Sequence, residues 1–146
     1  MTAAELVGAW SLQCFVVQVD DGRPDLFPLG DDATGLVVYS DDGWMSAVLS
    51  RSDRGAGALG GALEDAARAG PEAKGQAFDS YLSYAGRWEL ADGEVRHHVT
   101  HALVPGVVGQ VLRRTARLDA DTLELSYLRP TRSGAVATYR LSWSRA

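Results

Sequence analysis

The chain has 146 residues, a net charge of −5, 46% hydrophobic and 23% charged residues. That is the size and mixture of a single globular domain, here taken as 1–146, and it excludes wholesale disorder. The negative balance argues against an electrostatic nucleic-acid binder, no apolar run approaches the ~18 residues of a membrane span, and the lone cysteine, Cys14, excludes an internal disulfide framework or a Cys-based structural zinc site.

The first residues, MTAAELVGAW, show neither a basic nor a long apolar region of a secretion signal, so the expected address is the cytoplasm. After a short N-terminal turn or helix, period-2 alternation predicts a strand from about Trp10 to Val19. The stretch DDGRPDLFPLGDDAT reads as a loop. Strands near 35–40 and 44–50 follow, joined at Asp41-Asp42-Gly43, a hairpin signal. Residues 51–70 carry few bulky apolar groups and read as a loop or a weak helix. Pro71 to Leu82 reads as a helix with Pro in its first turn and Ala77, Phe78, Tyr81 and Leu82 on one face. Five further strands are predicted near 83–90, 94–102, 109–118, 122–129 and 135–144, with short links. The fold class is therefore all-β: an eight-stranded antiparallel up-and-down barrel with one short helix, about 71–82, before the fourth strand. Closure removes exposed sheet edges and leaves an interior wide enough for one small ligand.

Gly8-Ala9-Trp10 looks like the G-x-W signature of lipocalins. PLGDDATGLVVYSDDGWMSA (28–47), AFDSYLSYAGRWEL (77–90), the HHV at 97–99 and the terminal LSWSRA (141–146) resemble the bacterial lipocalin-like domain family over nearly the whole chain. The resemblance implies a small β-barrel with a central apolar cavity. It implies that Trp10 packs at the closed base under Arg145. It does not imply an activity.

Alternation assigns faces. Tyr84, Gly86, Trp88 and Leu90 are expected inward on the fourth strand, and Val95, His97, Val99 and His101 on the fifth. Leu112, Arg114, Ala116 and Leu118 follow on the sixth, Leu123, Leu125 and Tyr127 on the seventh, and Ala135, Ala137, Tyr139, Leu141 and Trp143 on the eighth. The second and third strands are apolar on both faces; Met45, Ala47 and Leu49 are taken as inward. A bulge in the sixth strand would turn Arg113 inward instead of Arg114.

This interior is apolar and aromatic with a few polar groups, which suits either a small-molecule pocket or a filled core. Four residues of strand span ~13 Å, too far for His97 and His101 to share one zinc, and no metal or other cofactor is expected. Either histidine, buried, could serve as a base or simply bond a tyrosine. An inward Arg114 needs a partner, because an unpaired buried charge is costly. Cys14 reads as a small buried hydrophobe, and glycine-rich 55–61 as a lid or a plain loop.

The expected function is binding of a small hydrophobic molecule with a polar or acidic group in the barrel cavity. Tyr84, Trp88, Leu112, Tyr127, Met45 and Trp143 would line it. The alternative is a cofactor-independent cyclase, isomerase or dehydratase acting on a polyketide- or terpenoid-like intermediate. In that case His97 or His101 would be the base, Tyr84 or Tyr139 the acid, and Arg114 the oxyanion holder. A third reading is a structural protein with a closed core. The expected partner is a small apolar ligand or substrate, with no nucleic acid and no membrane; assembly is left open.

Overall fold

The computed structural model describes residues 1–55 and 59–146. A single turn of helix, α1 (Ala3–Leu6), leads into eight strands: β1 (Gly8–Val19), β2 (Thr34–Tyr39), β3 (Trp44–Ser50), β4 (Tyr81–Ala91), β5 (Glu94–Ala102), β6 (Val111–Asp119), β7 (Thr122–Pro130) and β8 (Val136–Arg145). Each pairs antiparallel with the next, and β8 returns to β1, closing the barrel. The predicted architecture is the observed one.

Two helices, α2 (Leu63–Arg68) and α3 (Pro71–Asp79), interrupt the strands between β3 and β4. α3 is shorter than the expected 71–82. Tyr81 and Leu82 pair with Ser50 and Leu49 and so extend β4 instead of the helix. The expected apolar helix face does not form: no residue of α3 is buried, and Phe78 is 45% exposed. Of the glycine-rich segment 55–61 read as a lid or loop, 56–58 lie outside the described residues.

Inward side chains at the α1 end are fully buried: Leu6, Trp10, Tyr39, Val95, Leu123 and Trp143 fill this base. The Trp10 indole N–H donates to the Leu6 carbonyl at 2.9 Å. The Arg145 guanidinium lies 4.2 Å over the Trp10 ring and donates to the Val7 carbonyl at 3.1 Å. Gly8 has φ +127°, and a Cβ there would sit 3.2 Å from Arg145 Nη1. The glycine therefore serves both a backbone shape that L side chains avoid and the arginine's passage over the tryptophan.

Strict alternation fails at two places. In β1 the pairing with β8 slips between Leu12 and Cys14, so Gln13 is the extra residue. Trp10 and Leu12 point inward before the bulge; Phe15, Val17 and Val19 do so after it. Cys14 is consequently half-buried on the outer face, not a core hydrophobe. The second slip, in β4–β5, shapes the site. The open faces of β2 and β3 resolve as Val37 and Tyr39 inward on β2, and Met45, Ala47 and Leu49 inward on β3.

The base arrangement sets a first expectation. Arg145→Met should keep the aliphatic stem but lose the ring contact and the carbonyl bonds. The expected cost is about 1–3 kcal/mol, read as a fall of several degrees in melting temperature. An unchanged midpoint would show that the base does not depend on this arginine.

Candidate functional site

His97 lies in the middle of β5 on the inner face, between Val95 and Val99, and is only 1% exposed. Its ring meets a tyrosine on each side. Tyr39 Oη from β2 is 2.9 Å from Nε2, and Tyr84 Oη from β4 is 3.0 Å from Nδ1. Tyr39 also packs on Trp88, ring centres 4.8 Å apart, and Trp88 donates its indole N–H to the Ser40 carbonyl. The histidine is thus held by one neighbour in the sheet, β4, and by β2 across the interior.

Toward the end opposite α1 the inward side chains are unevenly covered: Val17, Val19, Leu49 and Ala137 are buried, and others are only half-buried. Leu82 and Tyr84 (β4), Leu112 and Arg114 (β6), Tyr127 (β7), and Tyr139 and Leu141 (β8) all retain exposure, so solvent reaches the interior from the end opposite α1. Tyr127 and Tyr139 stack at 4.6 Å and 14°. The Arg114 guanidinium lies 4.0 Å over the other side of this pair, on Tyr127, and donates one bond to the Arg113 carbonyl. No carboxylate among the described residues pairs with it. Arg113, by contrast, faces outward and pairs with Glu94 at 3.1 Å.

Burial decides the protonation states. His97 is lowered to about 3, first by burial, then by the Arg114 charge and by His98, so the imidazole is neutral. Burial raises the Tyr39 and Tyr84 hydroxyls above the ordinary phenol range, which keeps both protonated. Arg114 lies near enough to Tyr84 that its charge and its donors oppose that rise.

Residues 7–146 match the lipocalin-like domain family. The chain belongs to that family. No curated protein is significantly similar to it in sequence. A solved structure similar to it is that of an uncharacterized protein from Bacteroides eggerthii, 14% identical, covering 92% of this chain and 98% of that one at a TM-score of 0.43.

The lipocalin-like barrel gathers His97, Arg114, Tyr84, Tyr127, Tyr139 and Leu112 around its open end. It does not bring His101 there. β4 pairs Ala85 with His101 but Gly86 with Val99, so Thr100 is an extra residue and the face reverses after it. Ala102 takes the inward position, and His101 is exposed on the outside, bonded to Thr100 Oγ1 at 2.9 Å. Gly86 makes this approach possible: a Cβ there would lie 2.0 Å from the His98 carbonyl oxygen. A glycine in mid-strand is a bulge signal, and here it was the available warning against placing His101 inside. Met45, Trp88 and Trp143, expected as ligand contacts, are buried and belong to the packed core. Trp143 leaves its indole N–H without an acceptor among the described residues. Tyr39 was not anticipated as a site residue, because both faces of β2 are apolar and alternation could not choose between them.

A cleft of about 720 Å3 is built entirely from the segment between β3 and β4. Its cations already have partners: Arg51 pairs with Asp53, and Arg54 donates to Ser80 and to the Ala77 carbonyl. Among the described residues, no three His, Cys, Asp or Glu side chains come together as a metal site.

Two expectations follow from His97 and His101. The native pKa of His97 is about 3 and an unfolded histidine has one near ~6.5. The unfolded chain therefore takes up the proton first, so the stability is fully present above ~6.5 and is lost as pH falls from there toward 3. Between pH 7 and pH 5 this amounts to about 2 kcal/mol. Denaturant unfolding at both pH values should show that loss, and His97→Gln should remove it; an equal pH dependence in both proteins contradicts a buried neutral ring. His101→Ala should change stability by less than about 0.5 kcal/mol in the same measurement, as expected of a surface substitution.

Proposed function

We propose that this barrel binds a small apolar molecule whose acidic or polar head group lies against Arg114 and Tyr84. The observation that carries the reading is Arg114 itself: an inward arginine among tyrosine and leucine side chains, with no carboxylate partner among the described residues. Such a charge is costly to shield from water unless something pairs with it. A ligand carboxylate or enolate would do so, and Leu82, Leu112, Tyr139 and Leu141 would cover the apolar part. Burial of that part contributes at about 25 cal/mol per Å2.

Catalysis without a cofactor is a second reading with one observation in its favour. The Tyr84 hydroxyl and the Arg114 guanidinium are close together, and such a pair can hold a developing oxyanion. A cyclase, isomerase or dehydratase also needs a base. Both ring nitrogens of His97 are occupied and its basicity is low, and His101 is outside. Binding is therefore the reading preferred here, with His97 as a positioning residue.

Calorimetric titration with 2-naphthoate and its methyl ester tests the proposal. The acid should bind saturably at one site and about 10- to 100-fold more tightly than the ester, and Arg114→Met should erase the difference. No saturable binding of either compound, or a preference that survives Arg114→Met, would overturn it. Conversion of a bound natural ligand, detected by native mass spectrometry of protein purified from its own source, would favour the catalytic reading.

A further inference from the structure

The Tyr39–His97–Tyr84 chain has a direction, and that direction narrows the head group the site accepts. Tyr39 is 1% exposed, and its hydroxyl has a single partner among the described residues, His97 Nε2. A neutral imidazole has one N–H donor and one bare acceptor nitrogen. If Nε2 carried the hydrogen, it would donate to the Tyr39 oxygen, and the Tyr39 hydrogen would be left buried without an acceptor. If Nε2 is bare, Tyr39 donates to it and that hydrogen is satisfied. An unsatisfied buried donor is the costlier arrangement, so the second holds.

The remaining positions then follow in order. Nδ1 carries the hydrogen and donates to the Tyr84 oxygen at 3.0 Å. Tyr84 can no longer give its own hydrogen to the histidine. Its other polar neighbour among the described residues is Arg114, which has donors only. The Tyr84 hydrogen is therefore left for whatever occupies this part of the interior, where Tyr84 is half-buried.

Resting on the binding reading above, we infer that Tyr39 and His97 are buried positioning residues that fix Tyr84 as a hydrogen-bond donor toward the ligand, so that the site selects a head-group oxygen that accepts and does not donate. A carboxylate, an enolate and a ketone carbonyl share that chemistry. Two donors, Tyr84 Oη–H and the Arg114 guanidinium, face it, and among the described residues no carboxylate is offered in return. An ammonium head group is disfavoured by the Arg114 charge, with no carboxylate among the described residues to offset it.

The test has two arms. The first needs no ligand: nitrogen NMR of protein labelled with 15N-histidine, at neutral pH. His97 should be the Nδ1–H tautomer; a resonance pair showing Nε2–H would overturn the inference while leaving the binding reading intact. The second arm uses 2-naphthoate against 2-naphthylmethylamine and naphthalene. Tyr84→Phe should weaken naphthoate about 10-fold and leave naphthalene unchanged. Tyr39→Phe should weaken naphthoate in the same direction, and adding it to Tyr84→Phe should cause no further loss, because it acts through Tyr84. Full additivity of the two substitutions, or amine binding as tight as the acid, would overturn the relay. Should naphthoate not bind at all, the binding reading fails and the tautomer still decides the relay.

Discussion

The structure depends on the closure of β8 onto β1. A closed sheet has no free edge, and its tilt forces inward side chains of all eight strands into a limited space. At the α1 end that space is filled by Trp10, Trp143, Tyr39 and Leu123, and Arg145 seals it from outside across the Trp10 ring. The far end is covered in part, by Val19, Leu29, Ala33 and Ala137, and left half-buried in part. The half-buried residues at the far end are therefore not a failure of packing; the fully buried layers beneath them hold the strands in place.

His97 sits where these two regimes meet. Tyr39 and Trp88 around it are buried, Tyr84 beside it is half-buried, and the Arg114 charge is close enough to act on it. A polar ring in that layer is tolerated because both of its nitrogens are bonded, and the nearby guanidinium disfavours its protonation. The same features connect stability to function. An imidazole of low basicity, bonded at both nitrogens, is poorly suited to remove protons from a substrate, but well suited to hold a neighbouring hydroxyl in one orientation.

Much of this was legible in the sequence. Short links, alternating faces and the Asp-Gly turn at 42–43 gave eight antiparallel strands in chain order, and the inward side of β6, β7 and β8 followed directly from alternation. Arg114, Tyr127 and Tyr139 are where that rule put them. The rule failed where the backbone inserts a residue. The bulge at Thr100 sent His101 outside, and the one at Gln13 moved Cys14 to the outer face. The rule was also silent for β2, whose two faces are equally apolar, and so Tyr39 went unnoticed. The helix ended early because Tyr81 and Leu82 gain a strand partner in β3, a tertiary effect that helical periodicity does not contain.

Gly86 connects the error about His101 to the site itself. Its lack of a side chain lets the β5 backbone come within contact of β4 at His98, and the extra residue at Thr100 follows in the next step of the ladder. With one histidine turned out and Ala102 turned in, the open end carries a single imidazole and no second one above it. Without the bulge, His101 would share the face of His97 and Val99, a second imidazole on the inner side of β5. Among the described residues the lining then carries the Arg114 cation beside the Tyr84 hydroxyl, with aliphatic and aromatic side chains around them. That asymmetry, two donors at one point on an apolar wall, suits fixing one end of a molecule and leaving the rest to be recognised by shape.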